Sequence, residues 1–220
     1  GRDTKAIASW NAAVIRGLVE FGDLEKARAA AEAWIAVIGQ HGELPHQISD
    51  GLAIGKAFLD DAAMMAIAML ELGTATASSR YSEIGQDLVS WMIDRFVDID
   101  STFLFAQSGE LTPIGISRPV LDSSFPSPNG LAIRALILAG EIERAERALW
   151  ALSGWMHRIP SATETLHIAL SQLLRLSRND ESPLLSSPRV KGLLSDLERT
   201  EEGLRGTVIL QIAAGFHIQG

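Results

Sequence analysis

The chain contains no cysteine. That excludes disulfides, a thiol nucleophile and thiolate metal ligands within these residues. Its charge is of the wrong sign for nucleic acid: the formal net charge is −8 and no Lys/Arg run exceeds two residues. Replacing counterions along a phosphate backbone needs clustered positive charge, so no nucleic-acid partner is expected. Long hydrophobic runs are missing too. The most apolar one, Ala62 to Leu70, falls far short of the roughly 20 residues that span a bilayer, so no membrane partner is expected either. No secretory leader pattern opens the chain, which makes the cytoplasm only a default expectation. The histidines His41, His46, His157, His167 and His217 show no metal-ligand spacing. No phosphate loop, dinucleotide fingerprint or nucleophile elbow occurs, and no cofactor or metal is implied.

What is present is apolar and repetitive. Hydrophobic residues make up 47% of the 220 positions, enough for a sizeable core. Residues 11–39 align without a gap onto 129–157, at an offset of 118. Asn11 meets Asn129, Ile15 meets Ile133, Arg16 meets Arg134, Leu18 meets Leu136 and Gly22 meets Gly140. Each copy divides in two. The first half is apolar nearly all round (Ile7, Trp10, Ala13, Val14, Ile15, Leu18, Val19), the pattern of a helix buried on every side. Gly22 or Gly140 ends it, because glycine accepts the positive φ of a helix C-terminus. The second half is amphipathic, with Leu24, Ala27, Ala31, Trp34 and Ile38 on one stripe.

A third copy opens at Phe58 and is expected to stop near Gly73. Its partner helix carries Tyr81, Ile84, Leu88 and Phe96 on one stripe. A further helix is expected from Ser161, with Glu164 completing a capping box. Gly42–Ile48 and Thr102–Gln107 read as short extended pieces. In 204–220 the alternation of Val208, Leu210 and Ile212 reads as a β tail. The expected organisation is an αα-hairpin region over 1–200 and a β segment over 204–220, the start of a further module.

Inner apolar helices alternating with amphipathic outer ones predict an all-α fold of the α/α-toroid type. The competing reading is a tetratricopeptide-like solenoid, whose turn "GDLEKARAA" resembles. That repeat has a period of about 34 residues. Here the copies start 50 and then 68 residues apart, and unequal, loop-rich spacing favours the toroid.

Three motifs carry a family resemblance. Asp3-x-Lys5 leads to Trp10-Asn11, Phe58-Leu59-x-Asp61-x-Ala63 follows, and Asp122 precedes Pro126-Ser127-x-Asn129. Together they resemble the helical region of the spermatogenesis-associated, thioredoxin-domain-containing family, over residues 2 to about 175. The resemblance implies an α/α toroid similar to six-hairpin glycosidases and sugar epimerases, of which this chain is the second half. It implies as partner the missing half or a second copy, because half a toroid leaves an apolar edge uncovered. The sequence departs from the family at Ala62, where tyrosine is usual, and at Pro128, where glycine is usual. The thioredoxin-like part is absent, so no redox centre is expected.

In such a ring the inner-helix N-termini converge with their positive dipole ends. Asp3, Lys5, Trp10, Asn11, Asp61, Arg118, Asp122 and Asn129 stand at or near those starts. Carboxylates and amides hydrogen-bond sugar hydroxyls, and tryptophan stacks on a sugar ring. The expectation is a carbohydrate-binding or carbohydrate-processing cleft, of glycoside-hydrolase or epimerase type, with Asp61 and Asp122 as candidate acid/base groups and the others binding ligand. Against it stands plain helix initiation. Asp60, Asp61, Asn11, Ser127 and Asn129 are cap-forming types, and Asp3 with Lys5 reads equally as a surface ion pair. On that reading the chain is a non-catalytic helical scaffold serving a thioredoxin-like domain. The remaining tryptophans and His167 are expected in the core.

Overall fold

The computed structural model describes residues 4–98, 100–109, 117–177, 185–186, 190–200 and 203–212. Its contacts divide the chain into two units, Gly1–Ala169 and Leu170–Gly220. The first is mainly helical. It opens with β1 (Ala6–Ile7), α1 (Ala8–Phe21) and α2 (Leu24–His41), followed by the strands β2 (Pro45–Ser49) and β3 (Leu52–Lys56). Next come α3 (Leu59–Thr76), α4 (Ser79–Phe96), α5 (Pro128–Ala139) and α6 (Ile142–Arg158), then a 3₁₀ turn at Pro160–Ala162 and the start of α7 (Glu164–Ser177), whose later residues belong to the second unit. The second unit contains β4 (Leu185–Ser186), β5 (Val190–Thr200) and β6 (Gly203–Ile212) in one antiparallel sheet. The strand expected over 204–220 is thus β6 in its described part; residues 213–220 lie outside the described residues.

The internal repeat is visible as hydrogen-bonded geometry. Gly22 and Gly140 both take left-handed backbone, at φ 88° and 84°. Their amides reach the carbonyls of Val19 and Ile137, and the following amides of Asp23 and Glu141 reach Leu18 and Leu136. This is the same C-terminal lock twice, and only glycine adopts it without a Cβ penalty. The repeated arginines also share a target. Arg16 holds Glu71 of α3 through two bonds of 2.8 and 2.9 Å, and Arg134 lies 3.9 Å from the same carboxylate. Glu71 therefore ties both repeat copies to the helix between them.

α3 is that central helix. It packs on α1, α4 and α5, and thirteen of its eighteen residues are buried, so it has almost no wet face. Small residues make this possible. A Cβ on Gly73 would lie 2.8 Å from the backbone nitrogen of Ser82, and one on Gly85 would lie 2.6 Å from the Leu70 side chain. These glycines let α3 and α4 approach closely. Gly73 does not end the helix, as the sequence suggested; α3 continues to Thr76 and closes on Ala77 at φ 50°.

Other expectations also need correction. α1 is not buried all round: Trp10 is 62%, Val14 57% and Phe21 86% exposed, along one apolar stripe. Ser161 caps nothing, because Pro160–Ala162 forms the 3₁₀ turn and α7 starts at Glu164. Thr102–Gln107 is no strand; only Phe103 makes a bridge, to Val97. Trp34 is buried, but Trp150 and Trp155 are 47% and 38% exposed. His167 is exposed as well, its Nδ1 2.8 Å from the Thr163 carbonyl oxygen.

Candidate functional site

The β2–β3 hairpin turns through Asp50 and Gly51, both at positive φ (50° and 77°), the geometry of a two-residue hairpin turn. It pairs on its other side with β1, so the three-stranded sheet lies beside the start of α1. This brings His46 of β2 to the N-terminus of α3. There Asp61 accepts three hydrogen bonds. The His46 Nδ1–H donates to one oxygen at 2.7 Å, the Phe58 amide donates to the same oxygen at 3.0 Å, and the Ser9 amide donates to the other at 2.9 Å. Asp61 is wholly buried. It closes the first turn of α3, pins the start of α1, and fixes the His46 ring with Nδ1 as donor. Its bond to Asp61 holds His46 above the ordinary imidazole range, against the opposing pull of burial. The Phe58 ring stacks on Phe105 at 4.8 Å between centroids and meets His46 edge-on at 5.0 Å.

Next to this pair lies Asp60. One of its carboxyl oxygens is buried and has no hydrogen-bond partner. Burial, then the adjacent Asp61 charge, pushes this carboxyl up to about 6, while nearby amides and His46 pull it the other way. An unpaired buried carboxyl oxygen is costly, and one titrating near neutrality beside an oriented imidazole is a familiar arrangement for proton exchange.

Asp122 lies elsewhere. It accepts the Ser127 amide at 2.7 Å, the Thr165 amide at 2.9 Å and the Thr165 hydroxyl at 2.5 Å. Burial raises this carboxyl, but the Thr165 hydroxyl and the surrounding amides outweigh it and hold the group below the usual carboxylate range. It thereby clamps the starts of α5 and α7, which explains why α7 needs no cap from Ser161. Ser127 caps α5 by accepting the Gly130 amide at 3.2 Å. Asp61 and Asp122 share no partner, and each spends both oxygens on protein donors.

The remaining expected residues scatter in role. Asn129 is fully buried. It exchanges two bonds with the Phe103 backbone, at 2.9 and 3.0 Å, and donates a third to the Pro119 carbonyl at 3.0 Å, so it anchors the segment before α5. Asn11 donates to the Ile7 carbonyl at 2.8 Å within its own helix start. The repeat-equivalent asparagines thus make unlike bonds. Arg118 pairs with Asp98. Trp10 is exposed on α1 and Lys5 is exposed before β1, while Asp3 lies outside the described residues. His46 carries no weight in the sequence reading. The signal that would have found it is Ser49-Asp50-Gly51-Leu52, a hairpin turn sequence that folds β2 back beside β3.

Among the described residues no helix is long and apolar enough to cross a membrane, and no group of three or more His, Asp or Glu side chains is placed to hold a metal. Comparison with protein-family models gave no match, and comparison with curated proteins gave none either.

Proposed function

We propose that the chain is an α/α-toroid module that binds a sugar-like, polyhydroxylated small molecule at the inner-helix N-termini and processes it by acid/base chemistry. The observation that carries this reading is the Asp61–His46 pair with Asp60 beside it. The acid/base roles go to His46 and Asp60, because Asp61 and Asp122 have their oxygens filled by protein donors. His46, raised, is the proton donor; Asp60, titrating near 6, is present in both forms near neutrality and exchanges a proton with a substrate hydroxyl. Support for the toroid comes from the packing of α1 and α5 on α3, with α2, α4 and α6 as their hairpin partners.

The test is binding of a panel of mono- and disaccharides followed by NMR from pH 5 to 8. His46→Gln and Asp60→Asn are expected to lower affinity at least about tenfold with the fold intact. A second reading, the non-catalytic scaffold, is favoured by one fact: Asp61, Asp122, Asn129 and Asn11 spend polar atoms on the protein's own groups, most of them backbone. Wild-type protein that binds no sugar at any pH in that range supports the scaffold and removes the first reading.

A further inference from the structure

α2 and α4 both pack on α3, and an open groove of about 320 Å³ lies between them. Its apolar lining comes from Ile35 and Ile38 of α2, Leu44 after it, and Ile84, Leu88 and Trp91 of α4. The polar lining is Glu43 and Asp87, and among the described residues no Lys, Arg or His lines the groove. At one end the two helices are joined by Glu32, which takes Arg80 as an ion pair and accepts the Tyr81 hydroxyl at 2.8 Å. Arg80 is therefore already paired, whereas among the described residues no cation faces the two groove carboxylates from the groove walls.

From this juxtaposition we propose that the groove is a binding site for a small organic cation, an ammonium group on a short alkyl or aryl body. The apolar walls take the body, Glu43 and Asp87 attract the charge, and Trp91 adds an aromatic ring to the lining. A small molecule fits better than a docked helix. The groove follows α2 from Ile35 to Gly42, which at 1.5 Å per residue is only about 10 Å, and the volume sits at the lower end of small-molecule pockets. Two glycines keep the wall open: a Cβ at Gly39 or Gly42 would meet nothing within 4 Å. Gly39 is helical and has no positive φ, so it accepts a side chain without backbone strain.

The experiment is an NMR titration of the whole chain with hexylammonium, phenethylammonium and, as the uncharged control, hexanol. The expected result is a saturable shift of the Trp91 indole and Gly39 amide signals with both ammonium probes. Hexanol should bind at least about tenfold more weakly, and added salt should weaken the ammonium binding. Gly39→Leu, which fills the groove, should abolish it. Glu43→Gln combined with Asp87→Asn should weaken it about tenfold with unchanged melting, since neither carboxylate has an ion pair or hydrogen bond among the described residues. Absence of any saturable shift, equal affinity for hexanol, or an unchanged affinity in the doubly neutralised variant each overturns the proposal.

Discussion

Replacing Asp60 by Asn removes a charge from a half-buried site while keeping the shape of the side chain. In the folded protein this carboxyl titrates near 6, against an ordinary value of 3.8. The difference is about two pH units, and at about 1.36 kcal/mol per unit the ionised form is disfavoured by roughly 3 kcal/mol. The sign follows from proton binding. The folded state holds this proton more tightly than the unfolded state, so stability falls as pH rises from about 4 to about 6 and is flat above. Asp60→Asn is therefore expected to stabilise the protein by about 2–3 kcal/mol at pH 7.5 and by almost nothing at pH 4, where Asp60 is already neutral. For a unit of this size the first figure is a rise in Tm of roughly 5–10 °C. Urea unfolding at the two pH values checks it, as a shifted midpoint with an unchanged slope. An equal gain at both pH values would refute the reasoning, because the gain would not come from the charge. No gain at pH 7.5 would refute the assignment of Asp60 as a costly buried carboxylate. Greater stability with weaker sugar binding in one variant is the pattern of a group kept for function.

His46→Gln takes away the positive neighbour that lowers Asp60, so the Asp60 titration followed by carboxyl NMR should move above about 6. His46 itself is raised, so its stabilising contribution is complete below its unfolded value and is lost as pH climbs through the folded one; thermal melts should be higher at pH 5.5 than at pH 8. Asp122→Ala should cost about 2–4 kcal/mol, since it orphans the amides of Ser127 and Thr165 together. Because Asp122 is held below its ordinary value, its contribution is present above about pH 4 and fades as pH falls through the folded value; the cost of Asp122→Ala should shrink in acid. Gly73→Ala should destabilise by about 1–3 kcal/mol, because the new methyl meets the Ser82 backbone, while Gly39→Ala, in open space, should stabilise by up to about 1 kcal/mol; paired urea melts distinguish them.

The sequence by itself determined the helical content, the hairpin pairing of helices and the repeat. Those rest on local periodicity and on residues such as Gly22 and Gly140, whose requirement for positive φ is written into the residue type. It also located the polar residues at the helix starts. Which of these hold distant segments together was not legible, because carboxylates with near and distant partners look the same in one dimension. Asp122 is claimed by Thr165, 43 residues away, and Asp61 by Ser9, 52 residues before it. Gly73 reads as a helix stop until α4 is seen to cross it at contact distance. His46 acquires meaning only when its strand, turned at Asp50-Gly51, sets the ring against Asp61 at the start of α3. Tertiary structure decided these points because hydrogen bonds and desolvation depend on which atoms meet, and long-range contacts in this chain bring together groups that no spacing rule connects.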